Sequence, residues 1–171
     1  MIRVDIETIV MASGPVPSLI VLRERKDAEA DGAPRRALSI QTGSYEAASI
    51  SRGLDSSQQN RPITHDLFVN TLEQLGVKLE RAEVNRVDAP IFYARLVLST
   101  PADDGATREV AVDARPSDAI ALAVRANAPI YVEDDVMNRA GTIVRHHDAN
   151  AAEDELRQFD QFVQTLSPDD F

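Results

Sequence analysis

The stretch that decides the fold is residues 109–132, EVAVDARPSDAIALAVRANAPIYV. Its first residues predict a β-strand that ends near Asp113. Pro116 then stands where proline is favoured, at the first position of a helix. The alanine-rich residues after it favour a helix that can lie close to a sheet. PIYV predicts a short buried strand, so the stretch encodes a strand, a helix and another strand.

The residues before this stretch predict hairpin-linked strands and two further helices. Apolar side chains alternate over Ile2–Val10, SLIVLRER is typical of an antiparallel return strand, and residues 37–41 predict a third strand. Ser44 is expected to cap a helix that ends near Gly53. Thr64 is expected to cap the next helix, which ends near Gly76.

The second of these helices has a clear apolar periodicity. Its face of Leu67, Phe68, Leu72 and Leu75 is expected to pack on the core. Strands are predicted next over residues 77–86, 91–98 and 108–113, so three strands followed by a helix occur twice along the chain. This order predicts an α+β fold with helices packed on largely antiparallel or mixed sheets, and it leaves open a duplication of two halves.

The chain of 171 residues has about the length of one domain, and we assign that domain to residues 1–141. Residues 142–171 are predicted to form an acidic linker and an amphipathic helix that packs on its own domain or on a partner. The apolar residues of this tail at helical spacing are Leu156, Phe159, Phe162, Val163 and Leu166. The polar stretch of residues 26–36, with Arg35 and Arg36, is interpreted as a mobile hairpin tip.

Composition narrows the classes of function. The absence of cysteine excludes disulfides, thiolate metal sites and cysteine nucleophiles. No stretch is apolar for long enough to be a signal peptide or a membrane span, so we expect a cytoplasmic protein without membrane contact. The net charge of -10 argues against a globally basic surface for nucleic acid, although bound cations or clustered arginines can reverse the local sign.

Three segments together resemble the bacterial bifunctional nuclease domain family. They are RPITHDLFVNTLEQLG, FYARLVL and EVAVDARPSDAIALAVRANAPIYV, of which DARPSDAIALA is the most specific, and LSIQTGSYEAASI is similar more distantly. The resemblance implies an α+β fold, homo-oligomeric assembly and degradation of RNA and DNA. It carries over no established catalytic residues. The rival hypothesis is a non-catalytic oligomeric module that binds a protein or a small ligand in bacterial regulation.

The DARPSD segment groups residues suited to phosphodiester hydrolysis. Asp113 ends a strand, Arg115 lies in the turn, and Asp118 stands in the first helical turn, where free N–H groups favour an anion. We expect Asp113 and Asp118 to hold Mg²⁺ or Mn²⁺ and Arg115 to face a phosphate of the nucleic acid. The alternative is structural, because a first-turn aspartate often only complements the helix dipole and can pair with a nearby arginine.

His65 and Asp66 form a second candidate group. A histidine at a helix N-terminus is biased towards its neutral form, which suits a base or a metal ligand, while helix capping explains the same residues without chemistry. Glu46 has the same ambiguity in the first turn of its helix.

Other residues are weaker candidates. Adjacent residues such as His146, His147 and Asp148 rarely aim at one ion, and Tyr93 and Tyr131 lie on strand patterns that suit packing. The sequence contains no phosphate loop, dinucleotide fingerprint, zinc-protease helix or nucleophile elbow.

Overall fold

The structure is a computed structural model that describes residues 1–12, 16–25, 35–55, 61–102 and 105–143. Eight strands and four helices follow one another in these ranges. The strands are β1 (Ile2–Val10), β2 (Ser18–Glu24), β3 (Arg36–Thr42), β4 (Lys78–Asp88), β5 (Ile91–Pro101), β6 (Thr107–Ala114), β7 (Ile130–Val132) and β8 (Thr142–Ile143). The helices are α1 (Ser44–Leu54), α2 (Thr64–Gln74), α3 (Pro116–Ala126) and α4 (Asp134–Ala140).

The eight strands form one mixed sheet in the order β6-β5-β4-β7-β1-β2-β3-β8. β4 and β7 run parallel, and the other described pairs are antiparallel. Two three-stranded meanders, β1–β3 and β4–β6, each begin beside β7 and run outward. The α+β prediction is confirmed, and three strands followed by a helix do occur in each half of the chain.

Helix α3 is the centre of the helical layer. It contacts α1, α2, β4 and β5, and seven of its eleven residues are buried. Four of its positions are alanines, so its backbone can lie close to the sheet without steric conflict. Asn127 ends the helix in the left-handed conformation, a common stop for which asparagine is well suited. The path of α3 fixes the position of its first turn.

The structure corrects the predicted packing of α2. Val69 is its buried residue and Leu72 is half-buried, whereas Leu67, Phe68 and Leu75 are exposed. The helix contacts α3 and β4 and has no further layer over its outer side in the described residues. Most of the face predicted to lie in the core therefore faces solvent.

The predicted helix caps are shifted by one residue. Gly43 and Ile63 occupy the N-cap positions, and Ser44 and Thr64 are already helical. Asp66, in the first turn of α2, accepts a hydrogen bond of 2.9 Å at Oδ2 from the N–H of the N-cap residue Ile63.

The sheet reaches slightly beyond the predicted domain boundary. β8 pairs with β3, so Thr142 and Ile143 belong to the sheet. Arg36, expected in the hairpin tip, instead begins β3 and forms an ion pair with Glu24. Residues 26–34 of that tip and the tail from residue 144 lie outside the described residues. No helix in the described ranges is both long and apolar enough to cross a membrane.

The central position of α3 predicts a large penalty for a cavity beneath it. Ile120 is fully buried in the core, so we expect Ile120→Ala to lower the free energy of unfolding by about 2–5 kcal/mol, through lost burial and an unfilled cavity. Chemical denaturation measures this change. Ile143→Ala, at an exposed position, is the matched control, and equal losses in the two variants would contradict the packing described.

Candidate active site

The first turns of α1, α2 and α3 bring polar side chains into one cluster between the three helices. Each of these helices carries an acidic residue in its first turn: Glu46, Asp66 and Asp118. Such placement is locally favourable, because the N-terminus of a helix stabilises negative charge. Packing of α1 and α2 against α3 then brings the three acids into one region.

Arg115 links two of these acids. Its Nε and Nη2 donate to the two carboxylate oxygens of Asp118 at 2.7 and 3.0 Å, and its Nη1 donates to Glu46 Oε1 at 3.0 Å. The bidentate geometry fixes the guanidinium plane. The Arg115 side chain is nevertheless 65% exposed, so a ligand can reach it from solvent.

His65 reaches Asp118 from the neighbouring helix. Its Nε2 lies 3.3 Å from Asp118 Oδ1, and its Nδ1 lies 2.8 Å from Ser49 Oγ. An ionised carboxylate only accepts hydrogen bonds, so we assign the proton of the neutral imidazole to Nε2 and the role of donor to the Ser49 hydroxyl. Hydroxyl, imidazole and carboxylate thus form one chain. Ser49 is only 8% exposed, which suits positioning of the ring rather than attack on a substrate.

Asp66 and Arg125 complete the network on its far side. Arg125 Nε donates to Asp66, and its Nη2 donates to the Ser49 carbonyl oxygen at 3.0 Å and to Ser49 Oγ at 3.4 Å. Arg125 is nearly buried, and Ala121 also accepts from it. This arginine holds α1, α2 and α3 together beneath the more exposed part of the cluster.

The cluster keeps the carboxylates of Asp118 and Asp66 ionised. Burial opposes ionisation of Asp118, but hydrogen bonds from Arg115 and His65 outweigh it and hold the pKa of Asp118 below its usual value. The pKa of Asp66 is lowered in the same way: burial raises it, but hydrogen bonds from Arg125 and from the Ile63 N–H lower it by more. Hydrogen bonding to Asp118, and then to Glu46, raises the pKa of Arg115. At neutral pH Asp118, Asp66 and Arg115 are therefore charged.

Asp113 lies on the other side of the sheet. It stands opposite Arg95 in the β5–β6 ladder, whereas the adjacent pair of Ala94 and Ala114 lies on the face covered by the helices. Because successive side chains of a strand alternate between faces, Asp113 shares the outer face with Arg95 and the buried Glu83 to which Arg95 is paired. The structure does not bring Asp113 together with Asp118.

The position of Asp113 argues against the Mg²⁺ or Mn²⁺ site that the sequence predicts. The described residues contain no group of three or more histidines or acids arranged to hold an ion. Both oxygens of Asp118 already accept from Arg115, and Asp113 is across the sheet. These residues do not fit a preformed Mg²⁺ or Mn²⁺ site built from Asp113 and Asp118.

An open cleft of about 310 Å³ adjoins Arg115 and Glu46. The N-terminal residues of α1 and α3 form part of its wall, which directs free backbone N–H groups towards this end of the helical layer. Its lining residues are Ile40, Gln41, Thr42, Gly43, Glu46, Pro90, Ile91, Phe92, Arg115, Pro116 and Ser117. The exposed side of the cluster thus opens onto a cavity that can admit a small group.

Sequence reasoning missed two members of the network, Ser49 and Arg125. A signal for both exists in helical spacing. Ser49 follows Glu46 by three residues, and Arg125 follows Asp118 by seven, so each shares a helix face with a candidate acid. Tyr93 and Tyr131 are half-buried, as expected for packing residues, and the Arg86 guanidinium lies 3.7 Å from the centre of the Tyr93 ring. His146, His147 and Asp148 lie outside the described residues.

Comparison with known proteins gives the class of this domain. A family model described as the bifunctional nuclease domain matches residues 21–145. Two uncharacterized proteins of Mycobacterium tuberculosis, from its CDC 1551 / Oshkosh and H37Rv strains, are each 36% identical over 141 residues, which cover 80% of this chain and 81% of each relative. The chain belongs to the bifunctional nuclease domain family.

The lowered pKa of Asp118 predicts a dependence of stability on acid. Folding lowers the pKa of the Asp118 carboxyl group, so this group stabilises the protein at pH values above the pKa of the unfolded state. The contribution is lost as the pH falls through the pKa of the folded state. We expect Asp118→Asn to be less stable than the wild type at pH 7, with a difference that shrinks below about pH 4.

Urea unfolding between pH 7 and pH 3 measures this difference. Asp135→Asn, which removes a carboxylate exposed on α4, is the control and should show little change. A difference between Asp118→Asn and wild type that is constant with pH would contradict the pairing described.

Proposed function

We propose that the protein hydrolyses phosphodiester bonds of RNA or DNA at the cluster of Glu46, His65, Arg115 and Asp118. One observation carries the proposal: a solvent-accessible arginine, paired to two carboxylates and linked through Asp118 to a histidine, borders an open cleft in a domain of the bifunctional nuclease family. Hydrolysis needs a phosphate ligand, a proton acceptor and a proton donor, and this cluster offers each.

Arg115 is the proposed phosphate ligand. Its guanidinium carries charge and several donors at the edge of the cleft, and the first-turn N–H groups of α1 and α3 add positive potential there. Glu46 lines the same cleft and is assigned to accept a proton from the attacking water. The water oxygen forms a bond to phosphorus as the ester bond from phosphorus to the leaving oxygen breaks, and the leaving oxygen takes up a proton.

His65 is the proposed source of that proton when its imidazole is protonated, because only the imidazolium form has a proton to give near neutral pH. Asp118 positions both the imidazole and the guanidinium through its two oxygens. Ser49 fixes the ring from the other side. Asp66 and Arg125 are assigned to holding the helices in register rather than to the reaction.

A binding module is the second candidate function, and specific observations favour it. Leu67, Phe68 and Leu75 on α2 are exposed, as are Val110 and Val112 on the edge strand β6. Exposed apolar surface beside an unpaired sheet edge suits association with another chain. We propose homo-oligomeric assembly through such surface under either function.

A cleavage assay tests the proposed roles. We expect Glu46→Gln and His65→Asn each to lower kcat on single-stranded RNA or DNA by about 10²- to 10⁴-fold, because each removes a proton-transfer group. Arg115→Gln should lower kcat/KM by a similar factor, and Arg115→Lys should recover only part of it, since lysine cannot reproduce the bidentate contact. Reactions with and without Mg²⁺ or Mn²⁺ test the expected divalent cation.

The controls separate chemistry from folding. Asp135→Asn is the charge control, and the melting temperature of every variant reports the intact fold. Asp113→Asn discriminates between the site expected from sequence and the one in the structure, and we expect it to cleave at close to the wild-type rate. Cleavage by folded His65→Asn and Glu46→Gln at the wild-type rate would remove the cluster from the reaction. No cleavage under any cation would favour the binding module.

A further inference from the structure

The cleft beside Arg115 has two chemically different sides. Arg115, Glu46 and the starts of α1 and α3 make the polar side, and Ile40, Pro90, Ile91 and Phe92 make the apolar side. The ends of β3 and β5 both contribute to the cleft, although four strands separate them in the sheet.

A phosphate needs only the polar side, so the apolar side calls for another ligand group. Phe92 is half-buried and packs against the core, which holds its ring in place, while Ile91 is exposed at the turn. The exposed Gln41 adds an amide with both donors and an acceptor. An apolar surface that includes an aromatic ring, next to one amide, matches a nucleobase, which has apolar faces and a hydrogen-bonding edge.

We propose that this cleft is a subsite for one unpaired nucleobase, attached to the phosphate that Arg115 binds. The proposal rests on the proposed function and adds its substrate class: single-stranded nucleic acid. The volume of about 310 Å³ is at the small end of ligand pockets and is sufficient for a single base. Phe92 supplies the stacking face, and Gln41 contacts the edge of the base.

The geometry explains why the cleft should bind a single strand in preference to a duplex. A base in a duplex is stacked and paired, so it enters a pocket only after extrusion from the helix, which costs a few kcal/mol. An unpaired base enters without that penalty. The subsite therefore selects the strand state of the substrate, while Arg115 and the helix starts contact the backbone common to all sequences.

Binding is measured separately from cleavage. In a His65→Asn background, which slows cleavage and leaves the cleft lining intact, fluorescence anisotropy is recorded with a labelled single-stranded oligonucleotide and with its duplex. We expect the single strand to bind at least about 10-fold more tightly, which is the smaller end of the cost of extrusion. Phe92→Ala should weaken single-strand binding by about 5- to 100-fold, in the range of one lost stacking contact, and leave duplex binding unchanged.

Two further variants keep the test independent of folding. Phe92→Leu retains apolar volume and loses the aromatic face, and Gln41→Ala changes an exposed side chain. Both variants should therefore fold. Both should also bind the single strand more weakly, because each loses a proposed contact with the base. Ile143→Ala, at a side chain that is 59% exposed and lies outside the cleft lining, is the control and should change binding less than 2-fold. A fluorescent 2-aminopurine in the single strand should report burial of a base in the wild-type cleft and not in Phe92→Leu.

Each outcome decides between the two proposals. Equal affinity for single strand and duplex, or no effect of Phe92→Leu and Gln41→Ala, would overturn the base subsite even if the protein cleaves nucleic acid. Selective binding that depends on Phe92, without cleavage under any cation, would support the subsite and reject the hydrolytic function. A nucleoside monophosphate that binds as tightly as the oligonucleotide would assign the cleft to a free nucleotide and overturn a polymer subsite.

Discussion

The packing of α3 against the sheet is the constraint on which the rest of the structure depends. Its alanines let the helix lie close to β4 and β5, and its two sides receive α1 and α2. The first turn of α3 follows β6 directly, so Arg115 and Asp118 are placed by a strand and a helix that are both held in the main sheet-and-helix contact. A functional group on such a junction has little freedom to drift, because rigid elements fix it from two directions.

The polar network also shows how three helices share one set of charges. Arg115 connects α3 to α1 through Glu46, His65 connects α2 to α3, and Arg125 connects α3 to both through Asp66 and Ser49. The deeper part, around Arg125, is nearly closed to solvent, while Arg115 is open. The same network thus divides into a part that holds the helices together and a part that a ligand can reach.

Local pattern predicted most of the fold and part of the site. The strand that ends near Asp113 and the proline-started helix after it are predicted within a short stretch, and both form, although β6 is exposed over almost its whole length. Contact between His65 and Asp118 depends on α2 packing beside α3, which no local pattern encodes. The exposure of Leu67 and Phe68 also depends on how the helices pack, since α2 lies at the margin of the helical layer. The position of Asp113 can be predicted from the alternation of side chains along a strand. Because Val112 lies on the face of the sheet that the helices cover, Asp113 lies on the opposite face.

Charge balance links the acidity of the protein to its proposed chemistry. With neutral His65, the group of Glu46, Asp118 and Arg115 holds two carboxylates and one guanidinium, and so one net negative charge. A phosphate that approaches Arg115 must compete with both carboxylates for its donors. A protonated imidazole beside Asp118, or a cation recruited with the substrate, would offset the added negative charge. Under the proposed function, the binding of a phosphate at this site is therefore coupled to the uptake of positive charge.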